Sequence, residues 1–355
     1  MSGGVDSSTA AGLLKEKGYE VIGATMCIGT GDRAQGGPVR CCGLADIEDA
    51  RRVALQLEIP FYVFHLREEF EKEVVKYFCG EYARGKTPNP CILCNEKIKF
   101  GSFLKKAMDL EADFLATGHY ARLGFDEKTG RYLLKKGVDR RKDQSYVLFS
   151  ITQDQFRHTL FPLGGLRKEE VRQKAFQLGL RVHDKPESQE VCFIQETSYH
   201  SFLLERLAEP VEPGSILDKD GTVLGRHKGI PFYTIGQRRG LGLAKGKPLY
   251  VTKIDRERNV IVVGGEEEVR SDTFIVDSIN WIIPPEIIPF RNAHVKIRYN
   301  HPGSEASLSP KGEGKFQVKF KVPQKAITPG QAAVFYDGET LLGGGWIKEI
   351  VRSSE

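Results

Sequence analysis

The hydrophobic rhythm of this chain changes once, near residue 200, and that change limits the folds open to it. Before it, helical and strand patterns alternate. Thr9 to Lys17 reads as a helix and Glu20 to Met26 as a short apolar strand. Ile47, Ala50, Ala54 and Leu57 recur at helical spacing up to Pro60, and Phe61 to Phe64 follows as a strand. Phe70, Val74, Phe78 and Tyr82 mark another helix, and Ile98 to Leu110 one more, before Phe114-Leu115-Ala116 runs into Thr117-Gly118-His119. Strands alternating with helices of this length predict βαβ units and a mostly parallel sheet, with binding residues at the carboxyl ends of its strands. Beyond the change, short β-rich runs are separated by turn signals. These are Ile216-Leu217 and Thr222-Val223-Leu224 across Asp218 to Gly221, then Tyr250 to Ile254 and Val260 to Val263. An all-β stretch follows from Phe274, with Ile282-Ile283-Pro284-Pro285 read as a joint. The expected fold class is α/β: a catalytic domain over 1–197, a β-rich adaptor over 198–272 and a C-terminal β-barrel over 273–355.

At 355 residues and 40% hydrophobic content the chain can bury two or three cores. No apolar run approaches the ~20 residues of a membrane helix, and no targeting segment precedes the first motif, so a soluble cytoplasmic protein is expected. Net charge is only +5, but it is unevenly spread. Arg226 to Arg258 carries nine Lys/Arg against Asp255 and Glu257, and Arg291 to Lys325 carries eight against Glu305 and Glu313. Two basic stretches in an otherwise acidic chain suit a polyanion such as RNA, although solvated strand faces look the same. The seven cysteines are an odd number in a long chain, which argues against a secreted disulfide scaffold.

Residues 2–8, Ser2-Gly3-Gly4-Val5-Asp6-Ser7-Ser8, precede the first helix directly. Two glycines allow close backbone approach, the serines supply donors, and the helix start presents unpaired N–H groups to a phosphate. Asp6 would cap that helix or help hold Mg²⁺; a simple Ser/Gly helix cap would use the same residues. A second phosphate pattern, Gly80-Glu81-Tyr82-Ala83-Arg84-Gly85-Lys86-Thr87, satisfies GxxxxGK(S/T) but lies after a helix and before Pro88 and Pro90. A phosphate loop of that kind needs a strand before and a helix after, so the match is accidental.

Thr87-Pro88-Asn89-Pro90-Cys91-Ile92-Leu93-Cys94-Asn95 places a CxxC where a proline-stiffened loop enters a helix, a position that acidifies a thiol. CxxC alone also fits a redox pair or half a zinc site, but no second CxxC exists to complete one. Cys192, in Gln189-Glu190-Val191-Cys192-Phe193-Ile194, reads alone as a buried strand cysteine.

SGGVDSS resembles the loop of the PP-loop ATP pyrophosphatases, which it would share with GMP synthetase and argininosuccinate synthetase. With TPNPCILCN, ATGHYAR, RKDQSYVLF, SQEVCFI and TIGQRRGLG in this order, nearly the whole chain resembles the bacterial tRNA-uridine 2-sulfurtransferases, or 2-thiouridylases. In the superfamily a strand leads into the loop; here the loop begins at residue 2, and that strand is expected to be missing.

The resemblance implies that ATP, with Mg²⁺, sits over Met1, Ser2, Gly3, Gly4, Val5, Asp6 and Ser7, with Met26 and Gly118 at its adenosine end. It implies that Asn89, Pro90 and Cys91 border a wobble uridine flipped out of the anticodon loop of tRNAs for Lys, Glu and Gln. His119, Lys142, Asp143, Gln144, Arg298, Tyr299 and Gln331 would hold the RNA. Cys192 would carry a persulfide from a cysteine-desulfurase relay, and Cys94 would resolve it as a disulfide. Cys91, Cys94 and Cys192 would equally serve as ligands of an iron–sulfur cluster. A small-molecule ligase built on the same loop would not need Cys94 with Cys192. Cys27, Cys41, Cys42 and Cys79 read as structural. His65 reads as a packed strand residue, His158, His183 and His200 share no metal spacing, and Gly236 to Gly240 reads as a turn with exposed arginines, a candidate for tRNA contact.

Overall fold

The computed structural model describes residues 1–29, 44–186, 191–194, 199–207, 209–243, 246–287 and 292–351. They divide into two compact units. The first holds Met1–Val74, Cys91–Gln195 and Glu339–Leu341; the second holds Val75–Pro90, Glu196–Gly338 and Leu342–Glu355.

In the first unit, α1 (Val5–Glu16) starts four residues earlier than the apolar pattern indicates. Asp6, Ser7 and Ser8 therefore lie in its first turn. β1 (Gly23–Cys27) pairs in parallel with β2 (Phe61–His65) across α2 (Leu44–Gln56), a βαβ unit as the alternation predicts. α3 (Arg67–Phe70) and a π-helical turn (Glu71–Val75) follow, and α4 (Lys76–Ala83) belongs to the second unit. The accidental phosphate pattern begins inside α4, with no strand before it. α5 (Pro90–Leu93) continues as a π-helical run (Cys94–Phe103) and α6 (Leu104–Met108). Next come β3 (Leu115–Ala116), a hairpin of β4 (Ala121–Asp126) and β5 (Arg131–Lys136), α7 (Gln153–Arg157), β6 (Thr159–Leu160) and α8 (Lys168–Gln177). β3 and β6 pair in parallel. Among the described residues the β1–β2 and β3–β6 pairs are not joined into one sheet. Val5, Ala10 and Ala11 pack with Val53 and Leu57 of the α2 region and Val171 and Ala175 of α8. This core fixes the start of α1, since burying each such aliphatic side chain is worth about 1.5–3 kcal/mol.

In the second unit, α9 (Tyr199–Leu204) sets Tyr199 and Phe202 edge-on to Phe78, with Tyr199 also edge-on to Tyr82. β7 (Gly214–Leu217), β8 (Val223–His227), β9 (Tyr250–Asp255) and β10 (Val260–Gly264) form a sheet of order β8-β7-β10-β9 over Ile216, Val251 and Ile261. Then β11 (Arg270–Trp281), β12 (Asn292–Lys296), β13 (Ser304–Pro310), β14 (Phe316–Lys325), β15 (Ala332–Asp337) and β16 (Thr340–Ile350) run in the order β11-β14-β13-β12-β15-β16. β11 also pairs with β16, which closes the barrel and leaves no open edge in it. Ile282 and Ile283 do not form a joint. Both are 1% exposed and both backbone N–H groups donate to the Leu342 carbonyl, so they seal the barrel instead. No helix among the described residues is long and apolar enough to cross a membrane.

Candidate active site

Gly4, the residue before α1, is extended and no side chain caps the helix, so the first-turn N–H groups of a 12-residue helix are left for a ligand. Gly3 has φ +70°, and a Cβ there would meet the Asp46 carbonyl oxygen at 2.3 Å. The loop is pinned internally: Ser2 N donates to Ser7 Oγ at 2.9 Å, and the two hydroxyls lie 3.1 Å apart. The Met1 nitrogen donates to the Ala24 carbonyl beside Met26 in β1. Gly118 abuts the loop from behind; a Cβ there would meet Ser7 N at 2.8 Å. The Ser8 hydroxyl is fully buried and no partner for it exists among the described residues.

Asp6 does not cap the helix; its carboxylate is held by Lys168 and Tyr120. Lys168 Nζ reaches its two oxygens at 2.7 and 2.9 Å, and the Tyr120 hydroxyl donates at 2.6 Å. Lys185 Nζ donates to the Gly3 carbonyl at 3.1 Å while pairing with Asp46 and Asp49 at 2.8 and 2.7 Å. These two lysines and Tyr120 hold the loop, and the sequence alone does not single them out for that. Tyr120 sits inside the ATGHYAR motif, whereas Lys168 lies 162 positions from Asp6 with no local signal.

Cys94 is buried at the start of the π-helical run, while Cys91, one turn earlier, is exposed. Burial of its thiol end still pushes Cys91 above the ordinary thiol range, with the Lys99 ammonium pulling partly back. For Cys91 this reverses the acidification expected at a helix start. Cys192 is exposed, and its neighbour Phe193 is buried edge-on against Phe70 at 5.5 Å. Phe70 ends α3, which packs against the Cys94–Phe103 run, so both cysteines lie on segments sharing one helix. Cys79, Cys91, Cys94 and Cys192 are thiols. Cys41 and Cys42 lie outside the described residues, as does the Ser188–Glu190 part of the Cys192 motif. Among the described residues no three His, Cys, Asp or Glu side chains gather as a metal site, so Cys91, Cys94 and Cys192 are not arranged as one cluster-ligand set.

His119 is buried between Phe100 and Phe161, with Nδ1 2.8 Å from the Thr117 hydroxyl. Burial, helped by Lys99, holds its pKa well below 6.5, so it stands here as a neutral ring. Lys99 thus acts electrostatically on both Cys91 and His119, a role its sequence position did not signal. Asp143 accepts from Gly137 N, Ser145 N and the Ser145 hydroxyl, and Gln144 accepts from Tyr120 N. These two side chains shape the loop on which Lys142 is carried. His65 ends β2 exposed rather than packed. His158 and His183 bond backbone carbonyls and His200 stacks on Phe232, each a structural role.

In the second unit, Asn89 and Pro90 end the strap leading to α5. Arg298 is exposed after β12 and donates to the Lys325 carbonyl at 3.1 Å; Lys296 lies over the Tyr299 ring. Gln331 donates to the Thr87 carbonyl at 2.7 Å.

Three family models match the chain: a tRNA methyl transferase HUP domain over residues 1–196, a tRNA methyl transferase PRC-barrel domain over 200–265 and an aminomethyltransferase beta-barrel domain over 271–347. The tRNA-specific 2-thiouridylase MnmA of Halothermothrix orenii is 50% identical over 353 residues, 98% of each chain. The protein of the same name from Moorella thermoacetica is 50% identical over 99% of each chain, and that from Symbiobacterium thermophilum 50% identical over 99% of this chain and 92% of its own. Matched at half identity along almost its entire length, and by all three domain models in order, the chain belongs to the tRNA-specific 2-thiouridylase family.

Proposed function

We propose that this protein uses ATP to replace the C2 oxygen of the wobble uridine in tRNAs for Lys, Glu and Gln with sulfur, in a cytoplasmic setting. One observation carries the reading: an uncapped, glycine-shaped phosphate loop shares a unit with two thiols on segments packed against the same helix. The family models' descriptions speak of methyl transfer, but two thiols in the same unit as a phosphate-type loop suit sulfur transfer.

Residues Met1 to Ser7 hold the triphosphate, with Met26 and Gly118 at the adenosine. Mg²⁺, if bound with ATP, would neutralise the phosphates and assist departure of pyrophosphate, with Asp6, next to the loop and held by Lys168 and Tyr120, as the candidate to hold it. The uridine C2 oxygen attacks the α-phosphate and pyrophosphate leaves, which turns a very poor leaving oxygen into part of AMP. The terminal sulfur of a persulfide on Cys192, loaded by a sulfur-relay protein, attacks C2 and AMP leaves. The Cys94 thiolate then attacks Cys192 Sγ, the C2 sulfur departs as the 2-thio product, and a Cys94–Cys192 disulfide remains for a cellular reductant. Asn89, Pro90 and Cys91 border the base. Lys142, Asp143 and Gln144, with His119 as the neutral packing ring behind, position the loop; Arg298, Tyr299 and Gln331 grip the RNA. The labour divides as 1–197 for chemistry, 198–272 as adaptor and 273–355 for RNA.

The test is a paired assay of anaerobically purified wild type and Cys91→Ser, reading bound iron and 2-thiouridine in unmodified glutamate tRNA with ATP, Mg²⁺ and a sulfur donor. Iron-free thiolation that survives Cys91→Ser is the expected result. Thiolation that tracks iron and dies with Cys91 replaces the persulfide route with a cluster, and none at all removes the function.

A further inference from the structure

We propose that Lys99 is a further catalytic residue, the cation that neutralises the α-phosphate oxygens while the uridine C2 oxygen attacks. This deepens the function proposed above and rests on it.

The helix that carries Lys99 sets where it points. The Cys94–Phe103 run is π-helical, and i→i+5 bonding gives about 4.4 residues per turn. On that winding its five buried residues, Cys94, Asn95, Ile98, Phe100 and Phe103, all fall within about 80° of Lys99 around the axis. Glu96, Lys97, Gly101 and Ser102, none of them buried, fall on the far side. Lys99 therefore stands at the middle of the inward arc, half-buried itself. A cation turned inward is retained against its desolvation cost when an anion meets it. Among the described residues no carboxylate does so. Glu96 pairs with Lys97 at 2.7 Å on the far side, and Glu73 with Lys72 at 3.3 Å. The anion that Lys99 faces is then one that a ligand brings.

That ligand is the nucleotide, because the inward arc packs on the segment behind the phosphate loop. The Phe100 ring lies 6.0 Å from the His119 ring. Gly118, the residue before His119, is so close to the loop that a Cβ would meet Ser7 N at 2.8 Å. Cys94, one turn before Lys99, marks the side from which sulfur comes. The electrostatics agree. Burial and then the Lys99 charge lower the pKa of the Met1 amino group and of the His119 ring, and the same charge pulls down the Cys91 thiol that burial pushes up. One ammonium thus acts at the start of the loop, at the ring behind it and at the thiol bordering the base. During adenylation the bond from uridine O2 to Pα forms as the bond from Pα to the pyrophosphate oxygen breaks. Pyrophosphate keeps that electron pair, and the uridine N3 proton leaves to solvent. Negative charge gathers on the α-phosphate oxygens, and an ammonium already held there meets it without reorganisation.

The experiment follows wild type, Lys99→Gln, Lys99→Arg and Lys99→Ala on unmodified glutamate tRNA, with thermal melts as folding controls. Single-turnover pyrophosphate release without a sulfur donor reads adenylation, and the rate of Cys94 alkylation, followed by mass spectrometry, reads its thiolate. Lys99→Gln and Lys99→Ala should release pyrophosphate about a hundredfold more slowly at saturating ATP, with KM for ATP changed less than about threefold. Lys99→Arg, which keeps the charge, should recover part of the rate. Methylammonium should raise the Lys99→Ala rate about tenfold, which it cannot do for a lysine that only supports the fold. If Lys99→Ala does not fold, the contrast between Lys99→Gln and Lys99→Arg carries the test. Pyrophosphate release at the wild-type rate in Lys99→Gln, or a loss that follows melting temperature and that neither arginine nor methylammonium repairs, overturns the assignment. Normal pyrophosphate release with slowed Cys94 alkylation overturns it too, and gives Lys99 to the thiolate. Wild type that releases no pyrophosphate with tRNA loses the proposed function, and the role of Lys99 with it.

Discussion

The two units handle charge in opposite ways. Around the phosphate loop the charged side chains that touch it among the described residues are matched: Asp6 by Lys168, with a further bond from the Tyr120 hydroxyl, and Lys185 by Asp46 and Asp49. In the second unit Arg238, Arg239 and Arg298 stand exposed with no carboxylate beside them among the described residues. Matched, half-buried pairs fix atoms in place, as bond-making at one phosphorus and one carbon requires. Unmatched surface cations set a field, which is what long-range capture of a polyanion requires. Substitutions in the first unit should therefore change rate or stability, and those in the second unit affinity and its salt dependence.

The largest test of that division is Cys192→Ser or Cys94→Ser, each expected to lower 2-thiouridine yield by about a thousandfold or more, with tRNA affinity unchanged. A cysteine variant that loses RNA binding instead would break the comparison. Gly118→Ala should lower kcat/KM for ATP by about a hundredfold, because its Cβ would displace Ser7 N. Lys168→Met leaves Asp6 without its cation; allowing for the partial exposure of Asp6, a loss of about 2 kcal/mol is expected in denaturant unfolding. Arg238→Ala with Arg239→Ala should weaken tRNA binding about tenfold at physiological salt. It should also flatten the log–log salt slope by about 1.5, with turnover at saturating tRNA unchanged. A fall in turnover there would mean the arginines serve the chemistry.

The smallest effect is one the units share. His119, His227 and His301 are each held below the ordinary histidine range by burial, and neighbouring Lys99, Arg226 and Arg298 respectively push the same way. His227 and His301 also accept a backbone N–H at Nδ1, from Gly229 and Gly303, which only the neutral ring can do. Because the folded state resists a proton that the unfolded state accepts, their stabilisation is complete above about pH 6.5 and is lost as pH falls below it. Thermal melts from pH 7.5 to 5.5 should show this decline, and His119→Asn should make it shallower.

Much of the fold was legible because periodicity is a local signal: the β1–α2–β2 unit and the strands of β7 to β10 lie where the patterns put them. The β4–β5 hairpin was not read, since its alternation is interrupted by charges at Arg122, Asp126 and Arg131 that its packing tolerates. Ile282 and Ile283 were read as a joint because Pro284 and Pro285 advertise a turn; what buries them, the Leu342 carbonyl on the last strand, is a partner no window around residue 283 contains. The same limit governs the site. Cys94, Cys192 and the loop stand out in the sequence as local words, but the matching of Asp6 by Lys168 is a property of two distant places at once.

That separation has a bearing on how the protein is made. The loop at residues 2–7 is translated well before Lys168 and Lys185, the two lysines that hold it. At ~5–20 residues per second the 162 residues between Asp6 and Lys168 take roughly 8–32 s to synthesise. Through that interval the loop lacks the Lys168 contact to Asp6, and it is held as in the folded protein only after α8 has been translated.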